Sequence, residues 1–166
     1  MDDSNGTLAA LKVAAEDEKA VKFSGDLQVG DIVYQNMDRQ DGLILNNGYD
    51  TRYKIIVIVG KQSNGEVIAA CLINSKFKGN KDGLKFQYII KKENYPDVEK
   101  LVKDSPLNCS KLFTIDAQKS IKVKAQVIGH LTCEDEINVI NLVSSCDFIS
   151  DRDKKRFHIG EVAGVQ

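Results

Sequence analysis

A guanidinium and a hydroxyl bracket one stretch of this chain. Arg52 stands ahead of an apolar run at 55–59, and Ser75 follows a second run at 67–73. If the two runs pair as an antiparallel hairpin, their open ends lie side by side, and Arg52 and Ser75 share one rim. Arginine stays charged, and its planar fork matches two oxygens of a phosphate. A hydroxyl beside it can position a reacting group or relay a proton. Lys76, Lys78, Lys81 and Lys85 come next, a cluster suited to anions or simply to a soluble loop.

The elements that must position this rim are mostly strands. Both runs are rich in Val and Ile, which crowd a helix but fit a pleated sheet. Between them lies Asn64-Gly65, a pair favoured at hairpin turns. Further strands are expected at 32–34, 42–45, 86–90 and 109–116. The cleanest alternation lies at 121–128, with Ile121, Val123, Ala125 and Val127 on one face.

Helices are expected in three places. Residues 7–22 are rich in Ala and Leu with no internal Gly or Pro. A short helix begins near Asn94, with Val98, Leu101 and Val102 at helical spacing, and Pro106 ends it. Thr132 is an N-cap for a late helix whose first turn carries Glu134, Asp135 and Glu136. The expected fold is mainly β with α, a small half-open antiparallel barrel with a C-terminal helix and an N-terminal helical extension. The divisions are an extension at 1–27, a barrel at 28–150 and a charged, solvated tail at 151–166.

Composition narrows the function classes. With 166 residues, 42% apolar and 28% charged, the chain suits one domain with a real core. A net charge of −1 gives no global basic field, so any nucleic-acid role must rest on a local patch. No apolar run approaches a membrane span, and the first residues lack a secretory signal pattern. A cytoplasmic protein is expected. The four cysteines show no C-x-x-C spacing and form no ligand set with His130 or His158. Reduced thiols are expected, with Cys71 and Cys146 in the core and no metal or other cofactor.

Several segments, taken in order, resemble the MazF/PemK toxins, small bacterial endoribonucleases of toxin–antitoxin pairs. The resemblance covers 29–149. It rests on Gly30-Asp31-Ile32-Val33-Tyr34, on Arg52-Tyr53-Lys54 with its apolar strand, and on the strand that ends in Asn74-Ser75-Lys76. A later segment, Lys111-Leu112-Phe113-Thr114-Ile115-Asp116, completes the series. Tyr53 replaces the family's proline, and Phe113 stands where the family has its later arginine. The family's catalytic threonine falls near Leu72 or Ile73, with Ser75 the nearest hydroxyl.

The resemblance implies an SH3-like barrel, a homodimer, an antitoxin partner and metal-free cleavage of single-stranded RNA. In that reading Arg52 stabilises charge, and Ser75 or Thr114 supplies the hydroxyl. Lys76, Lys78 and Lys111 hold flanking phosphates, and Tyr34, Tyr49 and Tyr53 offer faces for bases. Each residue also has a plainer reading: a solvated strand-end arginine, a turn serine, a strand threonine, a soluble lysine loop. The competing functions are a catalytically inactive barrel that binds nucleic acid or protein, and a structural domain that dimerises through edge strands.

Overall fold

The computed structural model describes residues 10–11, 26–46, 48–76 and 81–161. Six strands form one antiparallel sheet: β1 (Asp31–Asp38), β2 (Thr51–Lys61), β3 (Val67–Ile73), β4 (Gln87–Ile90), β5 (Ser105–Asp116) and β6 (Gln126–His130). Their order is β4-β5-β3-β2-β1-β6. The helices are α1 (Lys81–Leu84), α2 (Ala117–Lys122), α3 (Cys133–Ser145) and α4 (Asp151–Arg156). The sheet is open, and apolar residues cover both of its faces.

The expected hairpin is the middle of this sheet. Ile55 pairs with Ile73 and Val57 with Cys71. Gly65 takes φ +71°, the left-handed turn conformation that the Asn-Gly pair anticipates. Side chains alternate across β2 and β3, so each strand feeds two cores. Val57, Val59, Ala69 and Cys71 pack under Val139, Val143 and Phe157. Ile56, Ile58, Ala70 and Leu72 pack on the opposite face with Leu43, Phe113 and Leu27. Cys71, Cys109 and Cys146 are buried free thiols. Contact with Cys109, together with burial, pushes the Cys71 thiol well up, so it stays protonated.

Four expectations are corrected. Residues 121–128 do not form one strand. Asp116 caps a helix there, accepting from the Gln118 and Lys119 backbone N–H groups at 2.8 and 3.4 Å. Helical spacing then sends Ala117 and Ile121 into the Leu72–Phe113 core, while Ser120 donates to Gln35 at 3.0 Å. The strand that remains, β6, is short.

Residues 42–45 are irregular, because the turn before them is tied elsewhere. Asp38 and Asp41 cap it reciprocally, and Lys119 reaches both carboxylates at 2.6 and 2.9 Å. The Lys119 hydrogen bond holds the Asp38 carboxyl below its usual range. From 95 to 101 the chain makes successive three-residue turns. They still bury Tyr95, Val98 and Leu101. Pro106 lies inside β5, paired with Ile89.

The fourth correction concerns the end of the tail, since the charged run 151–156 has no buried residue, as expected. Residues 151–156 form α4 behind a Ser150 cap, and Phe157 and Ile159 are buried. The Phe157 carbonyl accepts from Lys61 N at 3.1 Å beside a bulge in β2. Only a glycine fits that approach, since a Cβ on Gly60 would lie 2.5 Å from the Phe157 oxygen. Gly60→Ala is therefore expected to cost about 1–3 kcal/mol in urea unfolding. Unchanged stability would mean that the tail does not dock here. The helix expected at 7–22 lies outside the described residues except Ala10 and Leu11, which are helical.

Candidate functional site

A cleft of about 690 Å³ opens on the Leu72–Phe113 face of the sheet, at the end where β2 begins and β3 stops. Leu72 and Phe113 form its floor. Residues 42–46 and Tyr49, the connection between β1 and β2, form one wall. That wall is held at its base by the Lys119 ion pairs. Lys111 also reaches over it, donating to the Gly42 carbonyl at 3.3 Å while its Nζ sits 4.8 Å from the Phe113 ring centre.

Three cations line the cleft: Arg52, Lys54 and Lys111. No carboxylate and no histidine lines it among the described residues. The other polar residues of the lining are Asn36, Asn46, Asn74, Asn108, Thr51, Tyr49 and Tyr53. The Arg52 guanidinium makes no hydrogen bond or ion pair among the described residues. Alternation along β2 places Arg52 and Lys54 on the side of Ile56 and Ile58, the cleft side. An unpaired guanidinium on a carboxylate-free rim is arranged to receive an anion.

The expected site residues are only partly gathered. Arg52, Tyr53 and Lys111 line the cleft. Tyr53 packs one ring face on Tyr34, centroids 5.0 Å apart, and Lys100 lies 4.7 Å from the Tyr34 ring centre. Tyr49, 69% exposed, is the aromatic ring left free at the cleft mouth. Ser75 and Lys76 are exposed past the end of β3 and do not line the cleft. Thr114 pairs with Ala69, and alternation sets it on the opposite face from Phe113 and Ile115. Lys78 lies outside the described residues.

Sequence reasoning missed Asn74, Asn108, Thr51, Lys54 and the 42–46 wall. Asn74 immediately precedes Ser75, and a shift of one residue along a strand exchanges faces. The alternation counted from Leu72 would have favoured Asn74. For the wall there was no signal, because Leu43-Ile44-Leu45 looks like a strand.

A second polar constellation lies about 17 Å away, at the other end of β1. The His130 ring makes hydrogen bonds with Asp31 Oδ1 at 2.8 Å and Glu136 Oε2 at 3.2 Å, tying β1, β6 and α3 together. The Asp31 hydrogen bond, aided by Glu136 and opposed by desolvation, raises the His130 pKa above its ordinary 6.5. A raised folded-state value means that the folded chain holds the proton more tightly than the unfolded one. The stabilisation is complete below about pH 6.5 and fades as pH rises through the folded value. The melting-temperature gap between the wild type and His130→Gln is expected to be wider at about pH 5.5 than at about pH 8.5. An equal gap would show that His130 takes up no extra proton on folding.

No family model matches this chain, and no curated protein matches it. Among solved structures it is similar to the chain in two crystal forms of MazE–MazF from Deinococcus radiodurans. Form III aligns at 13% identity and a TM-score of 0.48, covering 72% of this chain and 94% of that one. Form II aligns at 14% identity and a TM-score of 0.46, covering 72% and 92%.

Proposed function

We propose that the cleft binds single-stranded RNA and that the protein is a toxin-like endoribonuclease cleaving it by 2′-hydroxyl attack. The Arg52 guanidinium, unpaired among the described residues and on a rim where they place no carboxylate, carries this reading. The order of motifs shared with the MazF/PemK toxins adds the reaction. In that reaction the 2′-oxygen attacks its adjacent phosphorus and the bond to the 5′-oxygen breaks. One proton leaves the 2′-hydroxyl and another reaches the departing oxygen. Arg52 holds the non-bridging oxygens as their charge grows. Lys54 and Lys111 hold neighbouring phosphates, and Tyr49 stacks on a base. Of the serines and threonines, Thr51 is the one in the cleft lining among the described residues, in place of the Ser75 and Thr114 of the sequence reading. An antitoxin partner and a homodimer belong to the same proposal.

A second reading is favoured by one observation. Among the described residues the cleft lining has no histidine or carboxylate to move protons, which suits a barrel that binds single strands without cutting them. The deciding experiment is cleavage of a long single-stranded RNA by purified protein in excess chelator, beside Arg52→Ala. Cutting by the wild type alone supports the nuclease. Binding without cutting moves the assignment to the inactive barrel. Neither binding nor cutting by folded protein overturns both.

A further inference from the structure

Past the far end of β2, about 30 Å along the strand from Arg52, three side chains form a hydrogen-bonded series. Ser63 Oγ lies 2.7 Å from His158 Nε2, and His158 Nδ1 lies 2.8 Å from Glu161 Oε2. A carboxylate only accepts, so Nδ1 carries a proton and donates it to Glu161. In the neutral ring Nε2 is then bare and accepts from the Ser63 hydroxyl. This is the connectivity of a hydroxyl nucleophile, its general base and the carboxylate that orients the base.

The fold holds each member in place. Ser63 lies in the β2–β3 turn, two residues past Lys61, whose N–H donates to the Phe157 carbonyl. Asn64 Oδ1 stiffens the turn by accepting from the Glu66 N–H at 3.0 Å. Phe157 and Ile159 are buried on either side of His158, so two anchors carry the imidazole to the turn. His158 takes φ +55°, left-handed backbone that a β-carbon disfavours. Gly160 follows at φ +79° and turns the chain back, which brings Glu161 to Nδ1. Backbone strain of this kind gathers at functional sites.

The turn also supplies donors. The Gly65 N–H donates to the Gln62 carbonyl at 3.0 Å and closes it, while the Ser63 and Asn64 N–H groups are unpaired among the described residues. In unrelated hydrolases, the N–H of the nucleophile or of the residue after it serves the developing oxyanion.

We propose that Ser63 is a nucleophile for acyl transfer, with His158 as its base and Glu161 as a positioning residue. The His158 and Glu161 side chains are 45% and 59% exposed. So open a site has no walls to hold a large substrate, and the class it takes is small carboxylic esters with a good leaving group. Ser63 Oγ bonds to the carbonyl carbon as its proton passes to His158 Nε2. The bond to the leaving oxygen breaks, and that oxygen takes the proton from Nε2. Water then attacks the acyl carbon and gives a proton to Nε2, which returns it to the Ser63 oxygen as the acid departs. No step involves Arg52 or the cleft.

The test treats the full chain with a fluorophosphonate, from which a nucleophilic serine displaces fluoride, and maps the adduct by peptide mass spectrometry. Ser63 is expected to be labelled. Ser75 is the control within the same molecule, because it is also exposed and no histidine bonds to it among the described residues. His158→Gln is expected to slow labelling of Ser63 by about 10²-fold or more, the effect of losing a general base. Glu161→Gln is expected to slow it by about tenfold or more, because an amide can turn its donor to Nδ1 and favour the wrong tautomer. All three side chains are exposed, so the variants should keep the wild-type circular dichroism spectrum.

Hydrolysis of p-nitrophenyl acetate gives a second arm. It is expected to fall in Ser63→Ala and in His158→Gln, and the double variant should be no slower than either, because the two residues act as a unit. A latch that merely ties the tail to the turn would leave Ser63 as inert as Ser75. No adduct on Ser63 of the folded wild type, equal labelling of Ser63 and Ser75, or an unchanged rate in His158→Gln overturns the assignment.

Discussion

Arg52→Ala is expected to reduce RNA cleavage by about 10²–10³-fold, the loss typical of removing one donor aimed at developing charge. The guanidinium has no hydrogen-bond or ion-pair partner among the described residues, so its removal breaks no such bond there, and the melting temperature should stay close to wild type. Arg52→Lys separates two roles of the side chain. Lysine keeps the charge but lacks the planar fork that spans two phosphate oxygens. Its affinity for uncleavable RNA should stay within about threefold of wild type, with cleavage still strongly reduced. The slope of log affinity against log salt should fall by about one for alanine and stay unchanged for lysine. Equal cleavage by wild type and Arg52→Ala would put the chemistry elsewhere.

Asp135→Ala is expected to be the most damaging single change to the fold, costing about 3–5 kcal/mol. Asp135 lies in the first turn of α3, behind the Thr132 cap, and is 7% exposed. Its two carboxylate oxygens each accept from a phenol, Tyr88 at 2.5 Å and Tyr95 in a very short contact. Tyr95 OH accepts in turn from Thr132 N at 3.0 Å. Burial first, then the Asp135 contact, pushes the Tyr95 phenol up to about 12, and the same causes raise Tyr88. Both phenols therefore remain donors throughout the ordinary pH range.

Each hydrogen bond to a charged group contributes about 1.5–3 kcal/mol, and Asp135→Ala removes two while stranding their donors. For a chain of this length the loss should lower the melting temperature by roughly 10 °C. Tyr95→Phe should cost about half as much. The double variant Asp135→Ala/Tyr95→Phe should cost less than the sum of its parts, because the two residues share one interaction. Strict additivity in urea unfolding would contradict the triad.

The interaction is long in sequence. Asp135 lies 47 residues from Tyr88 and 40 from Tyr95. Nothing in local propensity marks it. Reading Glu134, Asp135 and Glu136 as favourable charges at a helix start was sound, yet it could not separate Asp135 from its neighbours. Only the docking of α3 against β4 and the 95–101 turns makes one of the three indispensable.

What the sequence determined by itself was local. Two β-branched runs and an Asn-Gly turn specify the β2–β3 hairpin, because pleat sterics and turn geometry act within a few residues. The Thr132 cap and its acidic turn specify the start of α3 in the same way. The position of Arg52 at a strand entrance, and so on a rim, followed from that hairpin.

Tertiary structure decided the rest. Which face a strand-end residue occupies depends on pairing and on bulges at Ile58/Gly60 and Ala70/Leu72, and a one-residue offset exchanges Asn74 for Ser75. Residues 117–122 turn helical because Ser120 and Lys119 find partners 85 and 81 residues away. The charged run 151–156 conceals Phe157 until Gly60 opens a place for it. In each case the deciding energy comes from a contact distant in the chain, and no local pattern carries that information.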